Sequence, residues 1–295
     1  MAKASKALRG RMRSVQNTRK ITRTMELVST SKLKRAQDRV VAARPYAAAL
    51  AQVIAELVTP DLAERFPLLR RPAPPAKGGP RRAALLLVTS NRGLCGGFNS
   101  NLIKEARRRI EALEGEGYQV ELHLIGKKGI GYFKYLGRPI ASQRIDIGDR
   151  PTVQHAAELV AGPMAEYAAG RLASVDIVCA RFNSALSTPP TIIDILPVRT
   201  PQRKPGGVQA DYILKPDADQ ILEQLLPLYV RNQVYRGLVE TAAAEHGARR
   251  TAMKNATDNA GEIYEILKRT YNRQRQAAIT QEIAEIVGGA AALEG

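Results

Sequence analysis

The sequence predicts an α/β protein of uneven build: a long antiparallel coiled coil made by the N- and C-terminal helices, with an inserted open α/β (Rossmann-like) domain between them. Three observations carry that prediction. The first is the segment from about Asp211 to Gly295, interrupted only by Pro216, Pro227 and isolated glycines (Gly237, Gly247, Gly261) before Gly288-Gly289. At ~1.5 Å of rise per residue, the run from Leu228 to Val287 spans roughly 90 Å as a helix, too long to fold back inside a globule. The second is matched spacing. Met253, Ala256, Ala260, Ile263, Leu267 and Thr270 alternate steps of three and four, as do Leu33, Ala36, Val40, Ala43, Ala47, Leu50, Ile54 and Leu57 near the other end. Such a repeat marks a seam wound against another helix. The third is a change of period in the middle, where short apolar runs alternate with helical ones.

In chain order, residues 1–62 read as the N-terminal coiled-coil helix. Leu8, Met12, Val15, Thr22, Met25 and Val28 extend its apolar line less strictly. Pro45 conflicts with a helix interior, where proline costs about 3 kcal/mol, yet the seam stays in phase across it, which predicts a bend and not a stop. Thr59-Pro60-Asp61 is an end signal, and the proline- and glycine-rich stretch within 63–80 reads as a linker. The central domain then covers 81–210. Ala83–Thr89 suits a strand buried on both faces, Asn101–Glu114 a helix, Val120–Ile125 a second strand, and Gly129–Leu136 a short helix. A third strand is expected in Ala141–Ile147, a helix over Val153–Ala169, and further strands at Val175–Ala180 and Thr191–Pro197. Thr200–Gln209 is a second linker, and residues 211–295 form the C-terminal coiled-coil helix.

Composition narrows the function. The chain has 295 residues with a formal net charge of +17, so it needs an acidic partner or environment. From Lys3 to Arg44 there are thirteen Lys or Arg against two acids, Glu26 and Asp38, placed along a predicted seam instead of in a tail. A basic, acid-free start resembles an organellar transit peptide, but the heptad pattern runs straight out of it, so it reads as mature sequence. No run of eighteen apolar residues occurs, and no membrane-spanning segment is expected. Cys95 and Cys179 lack metal spacing and read as buried thiols. A nucleic-acid-binding protein is the competing reading of the charge, although an aromatic–basic pattern is missing.

Candidate chemistry is thin. Ser90-Asn91-Arg92-Gly93-Leu94-Cys95-Gly96-Gly97-Phe98-Asn99 follows the first central strand, where phosphate-binding loops occur. It lacks both the Gly-Lys-Ser/Thr of a P-loop and the Gly-x-Gly-x-x-Gly order of a dinucleotide site, so it reads as a tight structural turn packed against a neighbour. His123, His155 and His246 stand in separate contexts without metal-ligand spacing, and His246 reads as a polar position on the C-terminal helix. No catalytic residue, cofactor or metal is expected. Asn255, Thr257, Asp258 and Asn259, followed by 271–276, put many amides and hydroxyls beside the seam, which suits a helix touched by several proteins in turn.

Three separated segments, 13–28, 90–99 and 253–260 with Tyr271-Asn272, and the run 279–292 resemble the gamma subunit family of the F1 part of F-type ATP synthase, of bacterial type. The resemblance implies a central rotor stalk that couples proton-driven rotation of a membrane ring to ATP synthesis, or hydrolysis in reverse, at beta-subunit sites. The chain is then a non-catalytic but required subunit. It implies as partners the alpha and beta subunits (an alpha3beta3 hexamer), the epsilon subunit and the membrane c-ring, with no nucleic acid. Localisation follows as peripheral, on the cytoplasmic side of the bacterial plasma membrane. Carried onto this sequence, Met25 falls near the beta-subunit lever, with Gln276, Thr280 and Glu285 on the other helix. Arg9, Arg13, Lys20 and Arg275 are expected to meet acidic or polar surfaces of the ring. Arg23 and Thr24 stand where Lys and Ala are usual in the family. The cysteine pair of a chloroplast-type thiol switch is not found.

Overall fold

The computed structural model describes residues 2–70, 81–184, 187–199 and 217–294. Most of the first predicted linker (71–80), all of the second, and the predicted start of the last helix at 211–216 lie outside the described residues. The elements are α1 Ala2–Leu57, α2 Pro60–Arg65, β1 Arg81–Val88, α3 Phe98–Gly115, β2 Tyr118–Ile125 and α4 Lys127–Tyr135, then β3 Ser142–Arg144, α5 Val153–Ala168, β4 Ser174–Ala180, β5 Pro190–Leu196 and α6 Ala218–Glu294. Helix α1 runs unbroken through Pro45. Two compact units result, one formed by Met1–Val28 with Arg250–Gly295 and the other by Ser29–Arg249.

The larger unit is built on a five-stranded sheet ordered β3-β2-β1-β4-β5. The first four strands are parallel, and β5 lies antiparallel against β4. Strand β1 is apolar on both faces because both are covered. Leu85 and Leu87 meet Phe98, Leu102, Ala106 and Ile110 of α3, while Ala84, Leu86 and Val88 join the core shared with α5, α6 and the end of α1. Helix α6 enters that core with Leu222, Leu226, Val230, Val234 and Leu238, a repeat of four that keeps one face on the sheet. Gly237 permits the approach, since a Cβ there stands 3.2 Å from Ile177 Cδ1. Thr241 Oγ1 then accepts from Ala180 N at 3.1 Å, so α6 also satisfies the end of β4. Beside the sheet, Ala36 and Val40 of α1 pack on Val239 and Ala243 of α6.

All eight seam positions expected between Leu33 and Leu57 are buried or half-buried. One window of α1 is long and apolar enough, at mean hydropathy 1.3, to cross a membrane by composition alone. Leu50, Ile54 and Leu57 of the same helix are buried in the core of the larger unit, which accounts for their apolar character.

An ion pair with a buried carboxylate joins α3 to β4 in this unit. Asp176 on β4 is 1% exposed and accepts from Arg109 of α3 at 2.8 Å, with Asp194 of β5 4.0 Å from the same guanidinium. Burial raises the Asp176 carboxyl above its ordinary range, and the hydrogen bond and charge of Arg109 oppose that rise.

Candidate functional site

The smaller unit pairs the first turns of α1 with the distal part of α6. Arg9 Nε donates to Tyr271 Oη at 2.9 Å and its guanidinium stacks 5.3 Å from the ring centre. Arg19 packs beside Gly261, and Thr257 Oγ1 donates to Thr22 Oγ1 at 2.8 Å. Residue numbers fall on α6 as they rise on α1, so the helices are antiparallel, as the spacing predicts.

The seam itself differs from the apolar reading in two places. Val28 is 50% exposed, and its place is taken by Glu26 and Ser29, buried at 7% and 3%. On α6, Ile263 is 49% exposed while Thr257 is buried and Tyr264 half-buried. The cause is phase. Steps of four and three taken backward from Leu33 arrive at Ser29, Glu26, Thr22, Arg19, Val15, Met12 and Leu8, of which the first three are buried, Arg19 is exposed and the rest are half-buried. Buried hydroxyls and carboxylates need partners there. Thr22 donates on to Arg19 O at 3.1 Å, and Glu26 accepts from Arg23 at 2.9 Å.

The residues singled out from sequence fall on one unit but not in one cluster. Arg9, Arg13 and Lys20 are exposed along α1, and Met25 is half-buried at the seam. Arg275, Gln276, Thr280 and Glu285 are exposed on α6, where Gln281 donates to Glu285 at 2.9 Å. From Asn272 to Ala290 every residue of α6 except Ala278 is exposed. Ile279, Ile283, Ile286 and Val287 form an open aliphatic stripe there, exposed between 48% and 72%. The candidate site residues nearby, Gln276, Thr280 and Glu285, are polar or charged and do not point to this stripe.

The glycine-rich loop is tied to the start of α4 by hydrogen bonds that Asn91 and Ser90 accept. At the start of α4, Lys127 N donates to Asn91 Oδ1 (3.0 Å), Lys128 N to Ser90 O (3.2 Å) and Gly129 N to Thr89 Oγ1 (2.9 Å). Gly126 carries φ +94°, and a Cβ on it falls 2.1 Å from Thr89 O, so no other residue fits without moving the backbone. Within the loop, Asn99 Oδ1 accepts from Ser90 N at 3.0 Å, and Arg249 of α6 donates to Gly93 O at 3.3 Å. The neighbour that the turn packs against is thus α6.

Arg249 belongs to a charged cluster that the sequence did not disclose. His246, read there as a polar position on the helix, is 2% exposed, with Nε2 3.3 Å from Asp149 Oδ1. Burial pulls the imidazole down to about 4 against the opposing field of Asp149, so the ring is neutral at pH 7 and the contact is not an ion pair. Asp149 also accepts from Lys32 Nζ at 2.5 Å, and its backbone oxygen accepts from Arg39 at 2.7 Å. Burial pushes the Asp149 carboxyl up, but the Lys32 hydrogen bond and neighbouring positive charges hold it below the usual carboxylate range. Glu245, raised by burial, accepts from Arg249 at 2.6 Å. These groups pin α1, α6 and the loop before α5 together. Both thiols are buried, and burial pushes Cys179 up to about 12, which leaves it inert.

Comparison with known proteins accounts for this arrangement. A family model described as ATP synthase matches residues 4–293. The ATP synthase gamma chain of Gemmatimonas aurantiaca is 62% identical over the full length of both chains. That of Leptospira biflexa is 42% identical over 97% of this chain and 98% of its own. Among solved structures, a rotor chain of the Euglena gracilis mitochondrial ATP synthase superposes with a TM-score of 0.64, covering 95% of this chain and all of that one at 17% identity. A central-stalk/c-ring chain from Tetrahymena thermophila gives 0.57, covering 80% and 99% at 22% identity. At such identities the structures speak for the fold alone; the match to the bacterial sequences, at full length and from end to end, is what shows that the chain belongs to the ATP synthase gamma-chain family.

Proposed function

We propose that the exposed distal part of α6 and the basic outer face of α1 form the surface through which this chain exchanges force with a surrounding ring of alpha and beta subunits. Membership of the family makes the chain the central rotor stalk of an F-type ATP synthase. It couples rotation to catalysis without a catalytic site of its own, within a peripheral, membrane-associated complex. The observation that carries the surface assignment is the open stripe of Ile279, Ile283, Ile286 and Val287 on a helix that no other described part of the chain covers there. An aliphatic stripe slides against an apolar lining without geometry-specific bonds. Exposed charges such as Arg9, Arg13, Lys20 and Arg275 make contacts weak enough to be exchanged at each step. Met25, Gln276, Thr280 and Glu285 complete that surface.

In this reading the chain divides as 1–62, 63–80, 81–210 and 211–295, with the outer segments inside the alpha3beta3 hexamer. The central domain faces the epsilon subunit and the c-ring, on the cytoplasmic side of a bacterial plasma membrane. No nucleic acid is involved. Reconstitution tests it: full-length chain and a version ending at Tyr271 are each mixed with alpha and beta subunits of a close relative, and complex mass and ATPase activity are followed. A single copy per hexamer that supports ATPase cycling, with cycling impaired in the shortened form, is the expected result. Failure of the full chain to enter the hexamer, together with steeply salt-dependent binding to duplex DNA, overturns it.

A further inference from the structure

The two long helices are held within the larger unit in unequal ways. Helix α6 is fixed to the sheet along its course: Leu222 to Leu238 lie in the core with β1 and β4, Thr241 Oγ1 accepts from Ala180 N at 3.1 Å, and Glu240 accepts from Phe182 N at 3.3 Å. Helix α1 reaches that core with Leu50, Ile54 and Leu57, beyond Pro45. Between Ser29 and Arg44 its buried apolar residues are Leu33, Ala36 and Val40, the last two set against Val239 and Ala243 of α6 with Phe182 and Tyr235 partly buried beside them. A layer of alanine and valine removes less apolar surface from water than the leucines and isoleucines of the sheet core.

The second observation is that one loop residue ties down this stretch of α1. Asp149, in the loop before α5, accepts from Lys32 Nζ at 2.5 Å through its carboxylate and from Arg39 at 2.7 Å through its backbone oxygen. Lys32 and Arg39 lie about two helical turns apart, so they share a face of α1 and meet the same residue. The other carboxylate oxygen of Asp149 faces His246 of α6 at 3.3 Å. One loop residue thus spans both helices. The side chains of Lys32 and Asp149 are half-exposed, so water and salt reach their contact.

We propose that Asp149 is a latch: it holds α1 between Ser29 and Arg44 against α6, and when it is broken this stretch opens as a unit while α6 and the sheet stay closed. Local opening falls to segments with few buried apolar contacts and polar bonds that solvent can reach. In a stalk that turns under load, the helix that yields within the larger unit is then α1, and α6 carries the twist into the sheet.

Backbone amide hydrogen exchange, followed by mass spectrometry on the full chain, tests the latch. Asp149→Asn keeps the shape of the side chain and the backbone acceptor of Arg39 but loses the charge that Lys32 meets. Peptides from 29–44 are expected to exchange ~5-fold faster than in the parent, with peptides from β1, β4 and Leu222 to Leu238 within ~2-fold. Lys32→Met breaks the same bond from the other side and is expected to give the same pattern, with the double variant no faster than either single one. Raising salt from about 0.05 M to about 0.5 M is expected to speed the 29–44 peptides of the parent more than those of Asp149→Asn. Unchanged 29–44 exchange in both single variants, additive acceleration in the double variant, or an equal salt response overturns the proposal. So does a rise in β1 and β4 exchange equal to that of α1, which makes Asp149 a contributor to global stability and not a latch. No ring subunit takes part in the measurement, so its outcome is independent of the surface assigned to the alpha and beta subunits.

Discussion

The two units use the same pair of helices in opposite ways. Between Leu33 and Leu57 the α1 seam is Leu, Ala, Val and Ile: Ala36 and Val40 pack on Val239 and Ala243 of α6, and Leu50, Ile54 and Leu57 join Leu222 to Leu238 in a core that also holds the sheet. Between Leu8 and Ser29 the same heptad continues through Thr22, Glu26 and Ser29, opposite an α6 whose distal face is open. Apolar burial stabilises without direction, at roughly 25 cal/mol per Å². Hydrogen-bonded seams contribute less but fix register. The larger unit is accordingly built on an apolar core, and the smaller one is a pair of helices joined largely by polar contacts.

The comparison is broken most severely inside the larger unit. Arg109→Met leaves the Asp176 carboxylate, 1% exposed, without its cation. Breaking a buried pair on one side costs about 3–5 kcal/mol, a loss readable as a shift of the urea midpoint, and adding Asp176→Asn to the variant restores part of it. A parent-like midpoint for Arg109→Met sinks the view that this pair holds α3 to the sheet.

A smaller loss is expected from acid. His246 is neutral in the folded chain, and burial takes it from 6.5 to about 4. The unfolded chain therefore takes up the proton first. The stability due to the neutral ring is complete above pH 6.5, falls as pH drops through that value, and is fully lost near pH 4. The drop corresponds to about 3 kcal/mol at most. Other titrating groups of the cluster act at lower pH or in the other direction: Asp149 is held low, and Glu245, held high by burial, gains stability on protonation. Lys32, Arg39 and Arg249 face the same cluster. The difference between parent and His246→Gln melting curves from pH 7 to 4 isolates the imidazole, and a pH-independent difference rules its burial out as the cause.

How much of this was legible follows the range of the interactions. The strands of the central domain and the seam from Leu33 to Leu57 were readable because apolar spacing is local and periodic. The polar part of the seam was missed because a search for apolar residues steps over Glu26 and Ser29 and settles on Val28, one face away. Ile263 was chosen over Tyr264 for the same reason, although only Tyr264 keeps the step of four from Ala260. The burial of His246 had no local signal. It depends on Asp149 and Lys32, which reach it only through the packing of α1 and the loop before α5 against α6. Elimination of the phosphate-loop patterns points to a turn packed on a neighbour, but that Arg249 of α6 is that neighbour is visible only in the tertiary structure.

The smallest expected effect sharpens the comparison most. Thr257 Oγ1 is 2.8 Å from both Thr22 Oγ1 and Met253 O, and Thr22 Oγ1 is 3.1 Å from Arg19 O, so the two hydroxyls share one hydrogen bond and each has a backbone acceptor on its own helix. Thr257→Val removes the bond between the two hydroxyls and the one to Met253 O, and leaves the buried Thr22 hydroxyl without its partner on α6, so it costs about 1 kcal/mol. Thr22→Val with Thr257→Val replaces both hydroxyls by methyl groups of the same shape, and a pair changed together in this way is expected to lie within ~0.5 kcal/mol of the parent or to be slightly stabilised. Urea unfolding of the single and double variants reads the coupling directly. If the double variant matches or exceeds the parent, the polar seam is not there for stability, and its value lies in fixing which turn of α1 faces which turn of α6. If instead the two losses add, the hydroxyl pair stabilises the smaller unit as an apolar layer does the larger, and the contrast between the units fails at this position.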